Sequence, residues 1–280
     1  MPDRISNETA SVILADLDRT IESAARRPHI LGLAGAQGSG KSTIARLLAA
    51  RLEAKGVRSA VLSLDDFYFG RAMRRRIAAR VNPLFITRGP PGTHDVALAL
   101  SVLSAIRRGE ETSAPVFEKG ADDTRPRAEW RTIPAMLDVL VFEGWCIGAR
   151  PEEGEALSRP INMLERSFDR DGGWRRAVND ALGYTYQSLF AEIDRLVFLR
   201  APSFDIVQRW RTEQEHARAA SPHAKALPGL MTAEEISFFI QHFERLTRRM
   251  MEDLPSRADL VLQLDERRRV LGVEMRRDHR

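Results

Sequence analysis

The segment Gly35-Ala36-Gln37-Gly38-Ser39-Gly40-Lys41-Ser42 constrains this chain more than any other. It meets G-x-x-x-x-G-K-[ST] at every fixed position, with an apolar run at 29–34 before it and a helical pattern at 42–55 after it. Glycine-rich backbone of this kind curls so that successive N–H groups converge on one anion. The helix that follows brings the positive end of its dipole to the same point. Lys41 then reaches the outer oxygens of a polyphosphate, and Ser42 offers a hydroxyl to Mg²⁺. Thr43 stands in the first helical turn with no fixed part in the motif. Residues 35–43 are therefore expected to cradle the phosphates of a nucleotide.

Strand and helix patterns alternate along the rest of the chain. Helical spacing appears at 7–26, 95–108, 174–193, 204–220 and 232–252, and short apolar strands at 57–63, 136–142, 196–199 and 260–264. Gly56 is placed to end the first crossover helix, so 30–64 reads as a right-handed βαβ unit. The stretches 69–91, 110–134 and 144–171 read as loops and insertions. Such alternation predicts an α/β fold with a five-stranded parallel sheet covered on both faces. Residues 1–28 are expected to form a helix packed on the core, and 29–280 a single domain.

Composition narrows the function. At 43% hydrophobic residues the chain can build an ordinary core, and no apolar run approaches the ~18 residues of a membrane span. The first 28 residues include five acids, which argues against a leader segment. One cysteine, Cys146, permits no intrachain disulfide and fits a cytoplasmic setting. Only four of the 43 basic residues are lysines, Lys41, Lys55, Lys119 and Lys225. The arginine runs, Arg74–Arg76 among them, lack interleaved aromatics, so they read as solvated faces or phosphate neighbours and not as a nucleic-acid stripe.

The ends of the strands carry the chemistry. Strand two runs into Ser63-Leu64-Asp65-Asp66-Phe67-Tyr68. In a parallel sheet that end opens on the ligand crevice, where one carboxylate can hold Mg²⁺ or its water and one can accept a proton from an attacking alcohol. Asp65 is the candidate base, with a second possible place in the metal shell; Asp66 and Tyr68 are candidate substrate contacts. Strand three ends in Phe142-Glu143-Gly144-Trp145, which puts Glu143 within reach of the metal or of substrate hydroxyls. The turn Arg88-Gly-Pro-Pro-Gly-Thr93-His94-Asp95 offers Arg88 and His94 to an anionic or hydroxylated substrate, with Thr93 or Asp95 as the cap of the next helix. The loop 117–126 mixes both charge signs and suits a substrate wall. Arg209 and Arg211, on the charged helix after strand four, are placed to fold over the phosphates as a lid.

Together GAQGSGKST, SLDDFY, RGPPGTHD, FEGW and WRTEQE, in this order, resemble the plant-type D-glycerate 3-kinase family. That family belongs to a wider group of P-loop kinases that includes uridine kinase, phosphoribulokinase and bacterial pantothenate kinase. The resemblance covers nearly the whole chain from residue 30, and RGPPGTHD and FEGW are its discriminating pieces. It implies a three-layer α/β/α P-loop fold, ATP and Mg²⁺ as co-substrate and metal, and phosphorylation of a small, anionic alcohol. By motif, Asp65 matches the family's base, Lys41 and Ser42 its phosphate and metal residues, Glu143 its strand-three carboxylate, and Arg209 and Arg211 its lid. The chain departs from the family at Glu118-Lys119-Gly120 and at Ala121-Asp122-Asp123-Thr124-Arg125. A nucleoside- or pantothenate-type kinase, and a nucleotide-binding regulatory protein, remain alternative readings of these residues.

Overall fold

One strand organises the sheet. β1 (His29–Gly35) is buried at every position, because it takes neighbours on both edges and layers on both faces. The computed structural model describes residues 4–21, 26–219 and 231–276. β1 lies between β3 (Val139–Gly144) and β4 (Arg195–Arg200). β2 (Ser59–Ser63) pairs outside β3, and β5 (Leu260–Leu264) outside β4. All five are parallel. A sixth strand, β6 (Val270–Met275), adds antiparallel to β5 and gives the order β6-β5-β4-β1-β3-β2.

The helices are α1 (Arg4–Ile21), α2 (Lys41–Ala54), α3 (Arg71–Arg80), α4 (Val96–Arg107), α5 (Met163–Phe168), α6 (Gly173–Ala181), α7 (Gln187–Phe190), α8 (Phe204–Ala219) and α9 (Ala233–Asp253). α1 buries Ile13, Leu14 and Leu17 in the same apolar core as the sheet. Its buried Asp16 takes two bonds from Arg195 of β4, at 2.6 and 2.8 Å. The bidentate geometry satisfies a carboxylate that would otherwise be costly to bury. No helix among the described residues is long and apolar enough to cross a membrane.

Several elements differ from the sequence expectation, among them the short helix α5 in a stretch expected to be irregular. Residues 71–80 form a helix and not a loop, although RAMRRRIAAR carries almost no apolar stripe. Its anchor is Arg74, a cation turned into the protein with 1% exposure. β6 was hidden because its residues are mostly exposed and include Gly272. Strand three starts at Val139 because Met136 sits at φ 56, in a bend. The helix expected at 174–193 is interrupted by a π-turn at Leu182–Tyr186, around Gly183. Residues 22–25 of the first expected helix, and Ala220 of the fourth, lie outside the described residues.

Candidate active site

β1, β2 and β3 end on the same side of the sheet, and a cavity of about 140 Å³ opens there. Gln37, Gly38, Lys41 and Ser42 of the phosphate loop line it together with Asp65, Tyr68, Arg88 and Lys119. Trp145, Arg211 and Gln214 complete it with Phe239 and Phe243 of α9.

The phosphate-loop wall depends on two glycines. Gly38 and Gly40 adopt φ of 76° and 89°, where L side chains are strained. Gly38 is also pressed against α8, since a Cβ there would lie 2.6 Å from Cβ of Trp210. Ala36 and Ser39 are buried beneath the loop, and a Cβ on Gly35 would lie 2.7 Å from Ser39 Oγ. Thr43 closes the first turn of α2 through its N–H to Gly40 O, 3.0 Å. No side chain caps α2, which leaves its N-terminus to an incoming anion.

Glu143, 4% exposed, emerges from β3 directly behind Ser42. Its Oε1 accepts from Ser42 Oγ at 2.7 Å and from Ser63 Oγ at 2.9 Å. Its Oε2 is buried and has no hydrogen-bond partner among the described residues. An orphaned carboxylate oxygen beside the loop serine fits a hydrated Mg²⁺, which keeps several waters and needs few protein ligands.

Asp65 faces the loop from the turn after β2. Its Oδ1 accepts from the Tyr68 hydroxyl at 2.9 Å and its Oδ2 from Lys119 Nζ at 2.7 Å. Burial alone would raise this carboxyl. Lys119 and then Lys41, with the two hydrogen bonds, overcome that and hold it well below the usual carboxylate range. Burial and the neighbouring Asp65 push the Tyr68 phenol well above its ordinary value, so it remains a donor.

Three expected site residues stand elsewhere. Asp66 does not line the cavity; it lies 3.7 Å from Arg131 and accepts from Phe117 N at 3.5 Å. Burial pushes it up to about 6, against the pull of Arg131. His94 is buried behind Tyr68, stacked on it at 4.5 Å, with Nδ1 2.6 Å from the Tyr186 hydroxyl. It supports the wall and does not form it. Arg209 points to the β5–β6 turn and pairs with Glu266 at 2.8 Å, whereas Arg211 lines the cavity, paired with Glu215 and lying over Phe239. Residues two apart on a helix point in nearly opposite directions, so only one of them can face the phosphates.

Arg88 does line the cavity, lying over Phe117 and paired with Asp122. Its turn is locked to β3 by Trp145 Nε1, which donates to Gly89 O at 3.0 Å. A Cβ on Gly89 would overlap Phe243, which itself packs edge-on against Trp145. RGPPGTHD and FEGW are thus one packed unit. Sequence reasoning missed Lys119 as a partner of Asp65. One signal was available: Lys119 is one of only four lysines and stands in the mixed-charge loop 117–126.

The model of the phosphoribulokinase/uridine kinase family matches residues 30–148, from β1 through the end of β3. An uncharacterized kinase of Schizosaccharomyces pombe is 37% identical over 226 residues, covering 78% of this chain and 79% of that one. The chain belongs to the phosphoribulokinase/uridine kinase family. Within that family it is 27% identical over 260 residues to the chloroplastic D-glycerate 3-kinase of Arabidopsis thaliana, covering 86% of this chain but only 53% of the plant protein. The solved D-glycerate 3-kinase of Cryptococcus neoformans superposes with a TM-score of 0.78 at 25% identity, over 98% of this chain and 100% of that one. The expected P-loop kinase fold is therefore present, with β6 as an addition to its five parallel strands.

Proposed function

We propose that the protein is an ATP-dependent kinase of a small hydroxylated carboxylic acid, with D-glycerate as the acceptor. One observation carries this reading: the Asp65 carboxylate shares a single cavity with Lys41 and Ser42, and Arg88 and Lys119 stand beside it. An acceptor hydroxyl between Asp65 and the terminal phosphoryl group of ATP is then in line for attack. Its proton goes to Asp65, its oxygen bonds to the γ-phosphorus, and the bond to the β,γ-bridging oxygen breaks to release ADP. Phosphoryl transfer passes through a loose transition state in which the nucleophile loses its proton late, so a weakly basic carboxylate suffices. Lys41 and Arg211 neutralise charge on the transferring group. Ser42 and Glu143 would hold Mg²⁺, whose charge would offset that of the phosphates; Asp65 is then left to the proton.

Size and charge support this acceptor class. The cavity is small beside the ~300–1,000 Å³ of pockets for drug-sized ligands. Tyr68 is buried, stacked on His94 and edge-on to Phe117, so little of its ring is open to a nucleobase. Both features favour a short acid over a nucleoside, and two of the matched proteins are named D-glycerate 3-kinases. The test is coupled ADP release with D-glycerate, L-glycerate, glycerol, uridine and pantothenate. D-Glycerate should be turned over with the highest kcat/KM; equal or faster turnover of uridine or pantothenate would replace the assignment.

A further inference from the structure

Among the described residues lining the cavity, Asp65 is the one carboxylate, against Lys41, Arg88, Lys119 and Arg211. Arg88 and Arg211 have acidic partners of their own, Asp122 and Glu215. The contact that remains is Lys119 Nζ to Asp65 Oδ2 at 2.7 Å, on the carboxylate assigned above to the acceptor's proton.

Lys119 combines a fixed base with a free stem. It sits in the hairpin that pairs Phe117–Glu118 with Asp123–Thr124. The hairpin is fastened at three points: Thr124 Oγ1 donates to Tyr68 O at 3.1 Å, Asp122 accepts from buried Arg74 at 2.8 Å, and Phe117 packs edge-on against Tyr68. The lysine side chain itself is 55% exposed. It also lines the adjoining hollow, with Arg71, Arg74 and Arg88. Its four-carbon stem can therefore swing the ammonium away from Asp65 while the backbone stays in place.

We propose that Lys119 keeps Asp65 occupied until an anionic acceptor enters, and that the acceptor's carboxylate draws the ammonium off and so frees the oxygen that receives the hydroxyl proton. This rests on the hydroxy-acid reading above. Lys119 then acts as a positioning residue with two consequences. Acceptors without a negative charge leave the base blocked, and water in an acceptor-free cavity is poorly activated, so ATP is spared from hydrolysis.

The probe is propionate, a three-carbon carboxylate with no hydroxyl to phosphorylate. With wild-type protein and MgATP it should stimulate ATP hydrolysis by about tenfold, a fraction of the ~10²–10⁴ that a positioned base supplies. Water gives its proton to Asp65, its oxygen bonds to the γ-phosphorus, and ADP and phosphate leave. Lys119→Met should hydrolyse ATP at the raised rate without propionate and respond no further to it; Lys119→Arg should behave as wild type. Calorimetric binding of propionate to the nucleotide-free protein should weaken about tenfold or more in Lys119→Met. A Lys119→Met protein with the wild-type melting temperature, the wild-type basal rate and an intact propionate response overturns the proposal. So does a Lys119→Arg protein that behaves as Lys119→Met. None of these measurements needs a productive acceptor, so they stand apart from the assignment of D-glycerate.

Discussion

Replacing Arg74 with methionine tests how the acceptor side of the site is built. Arg74 is 1% exposed, and its guanidinium donates to Phe69 O at 3.0 Å, Ile86 O at 2.6 Å and Asp122 O at 2.8 Å, with the Asp122 carboxylate also 2.8 Å away. Methionine keeps much of the volume and removes every donor. Each buried carbonyl left without a donor costs about 1–3 kcal/mol. Breaking a buried ion pair by removing one partner costs about 3–5 kcal/mol. These costs overlap, since one guanidinium serves all four contacts, and Asp122 keeps Arg88 and Arg71. A net loss of about 4 kcal/mol is expected. At about 2–4 °C per kcal/mol for a chain of this size, the melting temperature should fall by about 8–16 °C. Arg74 ties the Lys119 hairpin and the segment before Arg88 to α3, and it touches nothing in the phosphate loop. The acceptor KM should therefore rise while the ATP KM stays near wild type. Thermal denaturation by circular dichroism and steady-state kinetics below the transition read both effects. A fall in melting temperature under about 3 °C, or a parallel rise in the two KM values, would refute this account.

Lys41→Ala and Asp65→Asn should each lower kcat by about 10²-fold or more, through loss of charge stabilisation and of the proton acceptor respectively; an Asp65→Asn protein with near-native kcat would remove the assigned base. Arg209→Ala should keep kcat within about threefold and stability within about 0.5 kcal/mol, as exposed ion pairs contribute little, whereas Arg211→Ala should lose about tenfold or more in kcat. Burial pushes His242 down to about 4 from an ordinary 6.5. The unfolded chain therefore takes up the proton first, and stability is lost as pH falls through 6.5 towards 4. His242→Phe, which keeps the ring contacts with Trp174 and Phe238, should reduce the drop in melting temperature between pH 7.5 and pH 5 by the equivalent of about 2 kcal/mol; an unchanged drop would contradict it.

Much of the nucleotide half of the site was legible in the chain itself. Loop 35–42 is set by backbone conformation, and only glycine at 38 and 40 supplies it, so the motif encodes its own geometry. The five parallel strands were legible too, because strands buried on both faces read as short apolar runs. Asp65 and Glu143 could be placed at strand ends for the same reason. The acceptor half was less legible. Arg88 was expected there and does face the cavity, but His94 and Asp66 turn away, since neighbouring residues in a turn take separate directions that no local pattern specifies.

Residue order determined that this chain would make a parallel sheet with an anion cradle at the end of its first strand, because those features depend on contacts within a few positions. Tertiary structure decided which charges meet. Lys119 reaches Asp65 across 54 positions and Arg74 reaches Asp122 across 48. A cation that reads as solvated becomes a buried anchor only when the fold removes water and supplies carbonyls around it, and that is a property of the assembled layers, not of any segment.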